Sequence, residues 1–247
     1  MRSRLCFLAS LLVVLSASWL PRLANAEEPA DKPSYDPIEI YVEQRLEGWR
    51  LMIHPDLLQD EELGEPTLTL LRHQLFQITR VVDPPVLEKL RQVTIWVERL
   101  ERHHPCMAYH PDPGWLRRHD MNPDKARCVE LANAENFLRW TRAQPWMVLH
   151  ELAHAYHHQF LERGFDNPDV RTAYEKAIEE NRYEEVLHIR GRREKGYAAT
   201  NPMEYFAETA EAWFGTNDFY PYVRSELKEH DPAAFAMHEK LWKSAAE

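Results

Sequence analysis

A chain of 247 residues with 44% hydrophobic and 28% charged side chains can bury a core of its own, which excludes a disordered or fibrous protein. Its formal charge of -10, from 30 Lys and Arg against 40 Asp and Glu, excludes a surface built to neutralise phosphates. Nucleic acid is therefore not an expected partner.

Arg2 and Arg4 precede an apolar run from Leu5 to Leu20, and Ala24-Asn25-Ala26 follows as a small-x-small cleavage signal. Residues 1–26 read as a secretory signal peptide, and no later segment is apolar enough to span a bilayer. The expected protein is secreted, periplasmic or extracellular, without membrane contact after cleavage, and no pattern fixes its oligomeric state. Export removes Cys6 and leaves Cys106 and Cys128 in an oxidising compartment, where they are expected to bond to each other. Residues 27–36, acidic and Pro-rich, read as a flexible leader, and residues 37–247 as one folded domain.

Two short apolar runs, Ile38 to Val42 and Trp49 to Ile53, flank Glu47-Gly48 and predict a β-hairpin. Leu68, Leu71, Leu75 and Ile78 recur at helical spacing between Pro66 and Val82, and Val93 to Val97 is rich in β-branched residues. From His103 to Arg127 the breakers predict a long loop, stapled by the cysteine pair. Its His103, His104, His110 and His119 read either as a second site or, as is commoner for scattered loop histidines, as exposed side chains. Val129 to Leu131 predicts a short strand and a candidate for aligning an extended substrate. After the Asn133 to Trp140 stretch, helices are expected near Pro145 to Arg163, Asn167 to Arg190, Pro202 to Phe214 and Pro232 to Trp242. This is an α+β order: a small N-terminal sheet with helices, then a mainly helical C-terminal lobe.

His150-Glu151-Leu152-Ala153-His154 lies inside the Pro145 to Arg163 helix, which puts both imidazoles on one face, one turn apart. Two such nitrogens on a rigid element suit tetrahedral Zn²⁺, and Glu151, rotated about 100° around the axis, suits a general base for water. A catalytic site needs a third protein ligand. Six residues after His154, where a local third ligand would stand, is Phe160, so the ligand comes from elsewhere. His157 shares the face of the pair, and His157 or His158 is a rival ligand. Glu204, Glu208 and Glu211 form an acidic stripe at i, i+4 and i+7 of the Pro202 helix. On this pattern alone the stripe is either a solvated face, or one glutamate binds the metal while the next holds a ligand histidine by its other ring nitrogen.

His150 to His154, followed by Tyr197, Asn201 and Glu204-Tyr205-Phe206-Ala207-Glu208, resembles the catalytic domain of the anthrax lethal factor-like zinc metallopeptidases, a gluzincin-type group with a zincin fold. The resemblance covers the last hundred residues or so by motif. It implies zinc bound by His150, His154 and Glu204, Glu151 as the base, and Tyr197 as the hydroxyl that steadies the oxyanion. Glu208 matches the glutamate that neighbours the ligands in the family, and the role of holding a ligand histidine is expected for it from the chemistry of imidazole ligands alone. The function so implied is hydrolysis of peptide or protein substrates by zinc-activated water. The alternative is a non-catalytic secreted domain on the same scaffold that binds zinc or a partner. Lethal factor carries a carrier-binding part for which 247 residues leave no room, so the toxin's substrate is not expected to transfer.

Overall fold

The first fixed point in the computed structural model is the two-residue turn Glu47-Gly48, with φ of 51° and 98°. Such a turn follows the twist of the strands it joins and pairs only the residues directly flanking it. It therefore sets β1 (Val42–Leu46) against β2 (Trp49–Ile53), with Leu46 opposite Trp49. The expected first strand from Ile38 moves accordingly, and Ile38–Ile40 forms a 3-10 turn. The structure describes residues 35–243, which lie within one unit. The expected signal peptide, residues 1–26, and residues 27–34 of the expected leader fall outside them. The end of that leader is tied down: Asn122 Nδ2 donates to the Asp36 carbonyl at 2.9 Å, and the His54 ring meets the Asp36 carboxylate at 3.1 Å.

Helix α1 (Pro55–Gln59) leads into α2 (Glu61–Val81). The long helix starts five residues before Pro66, because the Asp60 carboxylate accepts from the Leu63 amide and caps an earlier turn. Pro84 then opens α3 (Pro84–Leu90). Strand β3 (Ile95–Val97) runs parallel to β2, and the next two strands are β4 (Met107–Tyr109) and β5 (Val129–Leu131). The order is β1-β2-β3-β5-β4, with β5 parallel to β3 and β4 antiparallel to β5 at the edge. The rows Leu51–Ile95–Val129 and Ile53–Val97–Leu131 lie in register and join one core with Leu71, Leu75, Val148 and Leu152 of the helices.

The long loop predicted after His103 is structured. It carries β4, α4 (Pro113–Arg118) capped by Asp112, and a 3-10 turn at Pro123–Lys125. The expected disulfide is absent, and Cys106 and Cys128 are free thiols. The ladder explains why: the Cys106 carbonyl accepts from the Ala132 amide at one end of the β4–β5 pair, and the Cys128 carbonyl accepts from the His110 amide at the other. At about 3.3 Å per residue the two cysteines are separated by far more than a disulfide can bridge. Cys106 Sγ instead lies 3.3 Å from Met147 Sδ.

The C-terminal lobe comprises α5 (Ala134–Trp140), α6 (Met147–Phe160), α7 (Pro168–Glu179), α8 (Pro202–Phe214), α9 (Arg224–His230) and α10 (Pro232–Leu241). The helix expected to continue to Arg190 stops at Glu179, and Asn181 adopts a φ of 53°. A hairpin of β6 (Val186–Leu187) and β7 (Arg193–Glu194) follows, turning at Gly191 with φ of 83°. No helix among the described residues is long and apolar enough to cross a membrane.

Two histidines inside this lobe are held neutral. His157 packs on Phe165 and Phe206 with neither ring nitrogen hydrogen-bonded. His238 bridges Thr209 Oγ1 at 2.7 Å and the Trp242 indole at 2.9 Å. Burial pushes each imidazole down to about 3. Between that value and the ordinary 6.5 the unfolded chain binds the extra proton, so stability is lost as pH falls through this window. Each group removes about 1.4 kcal/mol per pH unit. His157→Leu is therefore expected to lose less stability than the parent between pH 6 and pH 4, by that slope, in denaturant titrations at each pH.

Candidate metal centre

Helix α6 begins where Gln74 Oε1, reaching from α2, accepts the Val148 amide at 3.3 Å. Helix α8 begins at Asn201, whose side chain accepts the Met203 and Glu204 amides at 2.9 Å each, with Pro202 in the first turn. Those caps fix the phase of both helices where they pack together. His150 and His154 then meet Glu204, with side chains only 12%, 11% and 18% exposed. The two Nε2 atoms are 3.1 Å apart, and Glu204 Oε2 lies 3.1 Å from His150 Nε2 and 3.2 Å from His154 Nε2.

This nearly equilateral triangle fits a small divalent cation. Four donors at 2.0–2.1 Å around tetrahedral zinc are separated by about 3.3 Å, close to the spacing found here. The set of two imidazoles and a carboxylate is also what a catalytic zinc takes. His150 is further oriented from behind, since its Nδ1 pairs with Glu211 Oε1 at 2.8 Å and Nε2 is the ring nitrogen that faces the triangle.

Glu208, expected to hold a histidine, stands 3.7 Å from His150 Nδ1, so that task falls to Glu211, one turn further along α8. Both carboxylates are buried, and Oε2 of each has no hydrogen-bond partner. With His150 they make a second cluster of converging donor atoms, more deeply buried than the first. Burial and their mutual repulsion push the carboxyl of Glu208 well above the usual range, and burial raises that of Glu211. Glu204 goes the other way. Burial alone would raise its carboxyl, but hydrogen bonds from His150 and His154 hold it well below that range. Burial would lower His150, yet Glu204 and Glu211 raise it well above its ordinary value.

The triangle opens on a cleft of about 440 Å³ that also exposes Glu151 and Tyr197. Tyr197 begins a 3-10 turn just before the α8 cap, and its ring stacks 6.5 Å from that of His150. Burial and the charge of Glu204 raise its hydroxyl, which keeps it protonated and able to donate. The opposite wall is the stretch His104 to Tyr109, containing β4. The strand expected to face an extended substrate, Val129 to Leu131, is interior and hydrogen-bonded on both sides, and β4 is the sheet edge beside the cleft.

The rival ligands do not converge on the site. His157 turns into the core, and His158 Nδ1 meets Tyr109 OH at 2.7 Å. Of the loop histidines, His110 is buried against Glu130 at 2.7 Å, while His119 Nδ1 meets the Trp115 carbonyl at 2.8 Å. Glu211 had a signal in the sequence, as the third member of the acidic stripe. Trp140, Gln144 and Met147, which finish the cleft wall, had none.

No protein-family model matches this chain, and no curated protein matches it in sequence. Among solved structures it is similar to the Pro-Pro endopeptidase PPEP-2 from Paenibacillus alvei. The two share 17% identity and a TM-score of 0.39 over 70% of this chain and 89% of that one.

The role of Glu211 is measurable. Glu211→Ala is expected to weaken zinc about 10- to 100-fold in chelator competition, the usual cost of removing a partner that orients a ligand histidine. Glu208→Ala, farther from the ring, is expected to weaken it less.

Proposed function

We propose that this protein is an exported zinc-dependent peptidase of the gluzincin type, with His150, His154 and Glu204 as the metal ligands. The observation that carries the reading is the 3.1–3.2 Å triangle of those three side chains in a cleft that also exposes a carboxylate and a phenol. The motif order of lethal factor-like metallopeptidases, with Tyr197 and Glu204 downstream of His150 to His154, supports the same assignment. Export rests on the N-terminal signal in the sequence.

A bound zinc ion supplies Lewis acidity and a water that ionises near neutral pH. The protein's own groups do the rest. Glu151, one residue from His150 on the same helix, faces the cleft and takes the proton of the attacking water. It then returns that proton to the departing amine nitrogen. The Tyr197 hydroxyl donates to the oxygen that gains negative charge as the scissile carbonyl becomes tetrahedral. The β4 edge gives an extended peptide backbone a line of partners along the opposite wall. A metal-storing protein needs neither Glu151 nor Tyr197, which favours hydrolysis over a purely zinc-binding role.

Glu151→Gln is expected to retain zinc by elemental analysis and to lose hydrolysis of a peptide library. Turnover in that variant would remove Glu151 as the base. Tyr197→Phe is expected to keep zinc and to lower kcat by about 10²–10³, the cost of one oxyanion donor. Zinc binding with no cleavage across the library by the unaltered protein would favour the non-catalytic alternative.

A further inference from the structure

The β6–β7 hairpin runs against the character of the molecule. In a chain of net charge -10, the stretch His188-Ile189-Arg190-Gly191-Arg192-Arg193-Glu194-Lys195 carries four Arg and Lys against one glutamate. Arg190, Arg192, Arg193 and Lys195 are all exposed, and Ile189 stands 45% exposed among them. Arg192 meets Glu194 at 3.6 Å and Lys195 meets Glu184 at 3.5 Å, solvated pairs that neutralise little. Among the described residues Arg190 and Arg193 form no ion pair.

The tip is anchored at its base. His188 donates its amide to the Arg192 carbonyl, its ring faces Asp218 at 3.5 Å, and the Ile189 amide donates to the Asp218 carbonyl at 2.7 Å. The other strand leads directly into Gly196, bonded to the Tyr183 carbonyl at 2.8 Å, and then into Tyr197 on the cleft wall. From Gly191 to Tyr197 the chain can reach at most about 20 Å, roughly the span of six extended residues. The positive tip thus stands within one short peptide length of the metal triangle.

We infer that this hairpin is an exosite that captures an acidic segment of a polypeptide substrate, about six residues from the bond presented to the cleft. The inference rests on the peptidase reading for the identity of its ligand. Acidic side chains that reach the tip are attracted by the exposed guanidiniums of Arg190, Arg192 and Arg193. An extended polyanion such as a nucleic acid or a charged membrane surface would also face the remaining acidic surface, which a short acidic run avoids.

The test uses the zinc-loaded full-length Glu151→Gln protein and two fluorescein-labelled 20-residue peptides, one ending in six glutamates and the other in six glutamines. The glutamate peptide is expected to bind about tenfold tighter at low salt, the sum of a few exposed charge pairs, and to lose that margin at 0.5 M NaCl. Charge reversal by Arg190→Glu, Arg192→Glu and Arg193→Glu together is expected to abolish the preference while zinc content and circular dichroism stay unchanged. Should the triple variant fail to fold, Arg190→Glu alone is expected to reduce the preference by about half on a logarithmic scale. Equal binding of the two peptides overturns the exosite, as does a preference that survives charge reversal. So does binding to phosphatidylglycerol vesicles that is lost on reversal while neither peptide is preferred. Preference without cleavage by the unaltered protein retains the exosite and sinks the peptidase reading. Cleavage without preference does the reverse.

Discussion

The packing of α6 on α8 is the contact on which the site depends. Two imidazoles one turn apart can share an ion with a third ligand only if that ligand arrives from outside their helix, and α8 delivers Glu204 to within 3.2 Å of both. The interface also sets the phase of everything behind the triangle. Glu204 and Glu211 lie two turns apart on one face of α8, so a rotation that brings the first to the Nε2 side of His150 brings the second to its Nδ1. One ring is thereby held at both nitrogens, which fixes the orientation of an otherwise mobile side chain. Tyr205, Phe206 and Ala207, fully buried between these glutamates, supply the packing that prevents α8 from turning.

The opposite wall is fixed by a different interaction. On the face of the sheet away from the main core, Glu130 is fully buried between His110 and Lys125, and Lys125 also reaches Glu98 at 2.7 Å. Burial would raise the Glu130 carboxyl, but the hydrogen bond from His110 and the charge of Lys125 draw it down to about 2. Removing one member of such a group leaves a buried charge and costs about 3–5 kcal/mol. The group joins the 3-10 turn at Lys125, the start of the connection at Glu98 and the strand β5. It closes the segment from residue 98 to residue 128 at both ends and so holds β4 against α6. Without a disulfide, this buried ionic group does the cross-linking that the cysteine count suggested.

What could be read from the chain divides along a physical line. Asn201-Pro202 and the stripe behind it defined α8 because capping and helical periodicity are local. The Glu47-Gly48 turn was legible for the same reason, although a turn that short also dictates its register, which displaced the strand to Val42. The cysteine pairing was misread because a count of thiols carries no information about where a ladder places them. The β6–β7 hairpin was invisible because two-residue strands, one Val-Leu and the other Arg-Glu, show no alternation, and the run before them continues a helical pattern. Choosing between Glu208 and Glu211 depends on the rotation of one helix against another, a tertiary quantity that spacing alone leaves open.

Charge is arranged in layers along the path from the buried side of α8 to the hairpin tip. Beside the triangle, Glu208, Glu211 and Asp218 crowd three buried carboxyls together, and burial raises all three toward their protonated forms. A cation at the triangle lowers the cost of that arrangement, so the residues that orient His150 also favour the occupant of the site electrostatically. Asp218 extends the same layer to His188 at the base of the hairpin, and beyond it the sign changes at Arg190, Arg192 and Arg193. The wall facing the triangle is uncharged by contrast. Cys106 sits against Met147, its thiol pushed up to about 12 by burial and by the charge of Glu151, so it presents a neutral surface that does not compete for the metal as a thiolate. On the proposed peptidase and exosite roles, a polypeptide lying along this path would meet the triangle, a soft neutral wall and a basic tip within one extended peptide, a gradient that favours a segment of uneven charge.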